Sequence, residues 1–230
     1  MLWVIKMKIN IVKNGPYLIS GNVPLSELVI VPGEKGNEYK KGRVFETEKE
    51  YALCRCGKSS TMPFCDGTHK KIPFDGTLTA SHKSIKDQSV IYEGINIMLE
   101  DTEKLCAFSR FCHSTEGDVW NLTQDATSKN EEEEAIRLAC ECPSGRLVMT
   151  DKTNGKVIEP NFKPSIAILQ DPQKDCSGPI WVRGGIPIVD DEGHQYEVRN
   201  RVTLCRCGKS YNKPFCDANH ISSKFNDGSL

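Results

Sequence analysis

Short apolar runs punctuated by glycine and proline mark both ends of the chain, and a helical period appears only in the middle. Gly15-Pro16-Tyr-Leu-Ile-Ser-Gly21-Asn-Val-Pro24 and Gly178-Pro179-Ile-Trp-Val-Arg-Gly184-Gly-Ile-Pro187 share one pattern. In each, an apolar, β-rich run is closed by Gly-x-apolar-Pro, which predicts a strand ended by a turn. Further strands are predicted over Glu50–Leu53, Arg201–Leu204 and the longer run Val90–Leu99. Glu131–Cys142 predicts a helix, because Ala135, Leu138, Ala139 and Cys142 repeat at i, i+3, i+4 and i+7. Its glutamates suit the positive end of the helix dipole, Ser128 or Asn130 can cap it, and Pro143 stops it. The pattern predicts an α+β chain of three parts: β-rich units at 1–80 and 176–230, and a mixed segment at 81–175.

The two outer units repeat one another. Leu53–His69 reads LCRCGKSSTMPFCDGTH and Leu204–His220 reads LCRCGKSYNKPFCDANH, so 12 of 17 positions are identical without a gap. The identical set keeps Cys54, Cys56, Cys65 and His69, matched by Cys205, Cys207, Cys216 and His220. Packing alone would keep apolar identity rather than this donor set, so each copy reads as a metal site spaced C-x-C-x8-C-x3-H. Each motif is followed by a matched aromatic, Phe74 and Phe225. The motif begins 30 residues after Pro24 but 18 after Pro187, which places a 12-residue insertion in the charged Gly33–Gly42 stretch. Soft to borderline donors leave zinc and iron–sulfur clusters as the two candidates. The single residue between Cys54 and Cys56 is less typical of zinc knuckles. Asp66 and Asp217 are N-cap types that would open a helix and set the histidine rotamer. Arg55, Lys58, Arg206 and Lys209 read either as charge beside an anionic centre or as solvated surface.

Taken together, Cys54-x-Cys56-x2-Ser59-x3-Pro63-x-Cys65-Asp66-Gly67-Thr68-His69 resembles the CDGSH motif of mitoNEET-type iron–sulfur proteins. The resemblance implies a small β-rich fold, commonly a homodimer, holding a redox-active 2Fe–2S cluster. It implies that Cys54 and Cys56 hold one iron and Cys65 and His69 the other, with Cys205, Cys207, Cys216 and His220 in the second copy. That copy departs at Ala218 and Asn219, neither of them a ligand. An imidazole in place of a thiolate removes negative charge and raises a cluster's potential.

In the middle, Cys106, Ser109 and Cys112 keep the C-x2-C-x2-C spacing with its central cysteine replaced, and Cys142-Pro143 supplies the C-P end. The stretch from about Tyr92 to Leu147 thus resembles divergent mono-cluster ferredoxin domains. Three cysteines suit a 3Fe–4S cluster. A 4Fe–4S cluster needs a fourth ligand, for which Cys140 is nearest, although it lies about 200° around an ideal helix from Cys142. The rival reading is a ferredoxin-like domain without its cluster. The whole arrangement resembles bacterial proteins that join such a domain to CDGSH modules.

The 230 residues carry a net charge of −1, which gives no sign of nucleic acid or an anionic membrane as partner. The apolar start is too short for a signal peptide or a membrane span, and Met7 is an alternative initiator. A cytoplasmic location follows as the default. There, 11 cysteines argue for metal or redox chemistry rather than disulfides. Cys176 reads as a free thiol and His82, His113 and His194 as surface residues. No nucleophile elbow, Walker loop or dinucleotide fingerprint suggests an enzyme. The leading expectation is an iron–sulfur protein for electron transfer or redox sensing, with two 2Fe–2S clusters and a third 3Fe–4S or 4Fe–4S cluster. A redox protein would be its partner, and the chain is a monomer whose outer units pair as a pseudo-dimer. The alternatives are a cluster carrier serving an apo-acceptor protein, and a zinc-stabilised binding module.

Overall fold

A computed structural model describes residues 6–230; the apolar run at the start of the chain lies outside the described residues. The first part contributes β1 (Lys8–Ile11), β2 (Tyr17–Ser20), β3 (Leu25–Pro32), β4 (Asn37–Phe45) and β5 (Glu50–Leu53). The middle contributes β6 (Val90–Glu93), β7 (Ile97–Asp101), β8 (His113–Ser114), β9 (Gly117–Asp118), α1 (Val119–Gln124), α2 (Lys129–Glu141), β10 (Leu147–Asp151) and β11 (Lys156–Ile158). The last part adds β12 (Ser165–Asp171), β13 (Cys176–Arg183), β14 (Ile188–Val189), β15 (Arg201–Leu204) and α3 (Asn219–Ser222). The expected α+β class holds.

The outer units exchange strands. Alternation in β1 and β2 turns Ile9, Ile11, Tyr17 and Ile19 inward and leaves Leu18 exposed. β1, β2 and β5 form one sheet, and β12, β13 and β15 the equivalent three strands of another. After the first Gly-x-apolar-Pro turn, β3 crosses to pair parallel with β12, setting Leu25 against Ile166. After the second, β14 crosses the other way to pair parallel with β1, setting Ile188 against Ile9. The ladder ends match too: Ile166 N–H donates to Pro24 O and Ile9 N–H to Pro187 O, both at 2.9 Å. One core serves both units, with Ile9, Tyr17 and Leu25 packed with Ile166, Ile180 and Leu204.

Three sequence expectations shift. The insertion placed at Gly33–Gly42, given no element by the sequence, is built into the β3–β4 hairpin, whose β4 edges the second sheet. Val90–Leu99 breaks at Gly94 into β6 and β7. β12, placed by sequence within the middle segment, is a central strand of the second outer sheet because its Ile166, Ala167, Ile168 and Leu169 are buried on both faces.

The middle segment has its own core. β6, β7, β10 and β11 form an antiparallel sheet, and Leu99, Leu147 and Met149 pack against Val119, Ala135 and Leu138 of the helices. α2 opens with a capping box between Ser128 and Glu131. Tyr39 of β4 ties this segment to the second sheet, stacking on Phe111 at 4.2 Å and on Trp181 at 4.8 Å. Among the described residues no helix is long and apolar enough to cross a membrane.

Candidate metal centres

Each repeated motif is a loop folded back on the strand before it. Cys54 N–H donates to Pro63 O and Cys65 N–H to Ala52 O, both at 2.9 Å. In the second copy Cys205 donates to Pro214 O at 2.8 Å and Cys216 to Thr203 O at 2.9 Å. Ser59 and Ser210 close the turns by donating to Phe64 O at 2.6 Å and Phe215 O at 2.7 Å. The expected aspartate N-caps are corrected: Gly67 and Ala218 occupy the cap positions and make no side-chain cap bond. Asp66 instead braces the loop, accepting from Thr68 N–H at 2.9 Å and from Ser60 N–H and Oγ at 2.8 Å. Those bonds hold its carboxyl far below the ordinary carboxylate range.

The folding-back brings the donors together in twos. Cys54 and Cys56 Sγ lie 3.7 Å apart, and so do Cys205 and Cys207 Sγ. Cys65 Sγ lies 3.3 Å from His69 Nδ1, and Cys216 Sγ 3.4 Å from His220 Nδ1. Two sulfurs about 2.3 Å from one tetrahedral ion would stand about 3.8 Å apart, and a sulfur and an imidazole nitrogen about 3.6 Å. A disulfide would need about 2.05 Å, and all eleven cysteines are free. Among the described residues no three His, Cys, Asp or Glu side chains are grouped closely enough to hold one ion.

The electrostatics suit a site that waits for a cation. Burial, then the neighbouring Cys54, pushes the Cys56 thiol up to about 11. The hydrogen bond to Cys205, then burial, drives Cys207 far above its ordinary value. Burial also raises Cys65 and Cys216. Cys205 moves the other way, down to about 7, because the hydrogen bond from Cys207 favours its thiolate, so that pair shares one proton. Cys56, Cys65, Cys207 and Cys216 stay protonated until a metal takes their charge. Burial lowers His69 and brings His220 down to about 4, so each imidazole stays neutral with a lone pair to donate.

The arginine between the paired cysteines is neither surface nor a free charge. Arg55 is 2% exposed and donates to Gly15 O at 2.7 Å, Gly76 O at 2.8 Å and Val12 O at 3.0 Å. Arg206, 1% exposed, donates to Gly178 O at 2.7 Å, Leu169 O at 3.2 Å and Asp227 at 2.5 Å. The matched aromatics lie against them, Phe74 at 5.3 Å from Arg55 and Phe225 at 5.0 Å from Arg206. Lys58 and Lys209 are exposed. The two loops also touch. A Cβ on Gly57 would sit 2.5 Å from Cys207 O, and one on Gly208 2.7 Å from Cys56 O. Only glycine permits that approach at φ of 72° and 76°. Identity in both copies was the available signal for the arginines and glycines.

In the middle segment Cys106, Cys112 and Cys142 line one small cavity, of about 20 Å³, with Ser109, Phe111 and Arg146. Burial, then Cys142 and Cys106, pushes the Cys112 thiol up to about 12. Arg146 brings positive charge to this cavity and is held by Asp101 at 2.6 Å, which also accepts from Trp120 Nε1 at 2.9 Å. Cys140 stands apart. α2 stays regular to Glu141, which turns Cys140 Sγ to within 3.7 Å of Ile158 O on β11. The helix does not unwind here to bring Cys140, the sequence's candidate for a fourth ligand, to the other three.

Comparison with protein families agrees with this division. The family described as iron-binding zinc finger, CDGSH type, matches residues 14–70 and 177–221. The family described as divergent 4Fe-4S mono-cluster matches residues 92–152 between them. The chain thus carries two CDGSH-type iron-binding segments on either side of a divergent 4Fe-4S mono-cluster segment. No curated protein and no solved structure matches it.

The remaining candidates are Cys176 and three histidines. Cys176 is buried at the start of β13, where burial pushes its thiol up to about 11. Its polar sequence surroundings had hidden that position. His113 is exposed, with Nδ1 3.2 Å from Cys112 Sγ. His82 and His194 are exposed and flank Asp190 at 3.2 and 3.5 Å.

Proposed function

We propose that each CDGSH site holds a 2Fe–2S cluster, that the Cys106–Cys112–Cys142 cavity holds a third cluster, and that the protein passes single electrons to a redox partner protein. The observation that carries this reading is the grouping of donors in twos, repeated in both motifs at metal-ligand spacing. A binuclear cluster takes two protein donors at each iron, whereas a single zinc ion needs its donors around one point. Such a cluster, when bound, supplies a one-electron couple. Around it the chain supplies fixed donors: the backbone bonds of Cys54, Cys65, Cys205 and Cys216 hold the loops, and Arg55 and Arg206 anchor them from behind. Neutral His69 and His220 lower the anionic charge at their sites, which places the couple above that of an all-cysteine site. Three cysteines in the middle cavity suit a 3Fe–4S cluster, since Cys140 faces away.

Visible absorption and electron paramagnetic resonance of anaerobically purified protein, before and after reduction, test the reading. It expects a coloured protein whose reduced form gives a 2Fe–2S signal, halved by Cys65→Ser or Cys216→Ser. A colourless protein with no such signal from iron-replete cells contradicts it.

A further inference from the structure

The two CDGSH motifs are nearly identical in sequence but not in setting. Cys65 and His69 are partly open to solvent, and Lys58, Ser60, Asp66 and Lys70 around them are exposed. Cys216 is 2% exposed and His220 3%. Three elements close over the second site. The middle segment lays Leu105 into the shared core beside Phe215, and the preceding Lys104 O accepts from Asn212 Nδ2 at 3.0 Å. Arg110 pins the same stretch to Asp171 of β12 by two bonds, at 2.6 and 2.9 Å. The chain leaving the first motif crosses the second loop, where Thr79 and Ala80 N–H donate to Lys213 O at 2.8 and 2.9 Å. Met62, from the first motif itself, packs against Cys205, Cys207 and Phe225.

We propose that the two sites are unequal in exchange: a cluster at Cys54, Cys56, Cys65 and His69 is open to removal by an acceptor bearing thiols, and one at Cys205, Cys207, Cys216 and His220 is retained. This rests on the cluster reading above. Removal is ligand exchange without electron transfer. An acceptor with four thiols gives up four protons as it takes the irons. Cys54, Cys56 and Cys65 each leave as a thiol with one of those protons, His69 leaves as the neutral imidazole, and the fourth proton passes to solvent. At the second site the same attack first requires the Lys104–Arg110 stretch to lift, which breaks the Arg110–Asp171 pair and the Asn212 bond. Local opening of packed structure sets the rate of such buried events.

The test uses the full, anaerobically loaded chain and excess EDTA as the probe, following visible absorbance and the iron remaining on the protein. Half of the 2Fe–2S iron should leave at least about tenfold faster than the rest. Cys65→Ser should abolish the fast phase and Cys216→Ser the slow one. Arg110→Ala with Asn212→Ala should speed the slow phase towards the fast one, and Asn212→Ala alone serves if the double variant does not fold. A single rate for both sites, a fast phase that survives Cys65→Ser, or a slow phase indifferent to the loss of these tethers overturns the inference. Protein that carries iron and sulfide yet releases them at one rate sinks this inference alone. Protein without sulfide sinks the cluster reading and this inference with it.

Discussion

Ala218 enters α3 with φ at 69°, in the left-handed region where a Cβ costs about 1–2 kcal/mol. Its counterpart Gly67 has φ of 86° and free space where a Cβ would go. Ala218→Gly should therefore stabilise the protein by about 0.5–1 kcal/mol, net of the entropy glycine adds to the unfolded chain, and Gly67→Ala should destabilise it similarly. Urea midpoints of the loaded protein measure both. Asp227, paired with Arg206 behind the second loop, offers a pH test. Burial alone would raise its carboxyl, but Arg206 and hydrogen bonds from Gln170 and Ser177 bring it down from 3.8 to about 2. A depressed carboxyl contributes stability that is full above its unfolded value of 3.8 and lost as pH falls through about 2. The contribution is about 2 kcal/mol, since one pKa unit is about 1.4 kcal/mol. Asp227→Asn should lower stability at neutral pH and flatten the acid side of the stability profile between pH 4 and 2; an unchanged slope would refute the pairing.

Among the elements, β5 and β15 fall at Glu50–Leu53 and Arg201–Leu204, the strands predicted to precede each motif. α2 was legible from its apolar face and from Ser128 as a cap candidate, and the structure adds the capping box with Glu131. The exchange of β3 and β14 was not, because local pattern records which residues are buried and not whose strand they lie beside. The donor sets were legible through duplication, and the C-x2-S-x2-C spacing pointed to the cysteines that line the middle cavity. Cys140, nearest to Cys142 in sequence, is turned away from the other three by the 100° step of the helix. Since α2 carries Cys140 to Ile158 and leaves Cys142 at the cavity, Cys140→Ser should preserve a third cluster and Cys142→Ser should remove it. Iron counted against protein separates the two results, and equal losses would show that the helix end unwinds in the loaded protein.

At the scale of the molecule, the strand exchange makes two repeats into one folding unit around a shared core. Residues 176–230 expressed alone keep only β13, β14 and β15 of the sheets they serve. That fragment should show no cooperative unfolding transition by circular dichroism, and a sharp transition would contradict the shared core. The same exchange sets the two CDGSH loops in contact through Gly57 and Gly208 and places the middle segment over the second. The account therefore rests on clusters in both outer sites. Iron, zinc and acid-labile sulfide per chain, measured on anaerobically purified protein beside its Cys65→Ser/Cys216→Ser double variant, test that claim most directly. The account predicts about two irons and two sulfides at each outer site, lost together in the variant. Stoichiometric zinc without sulfide would contradict it.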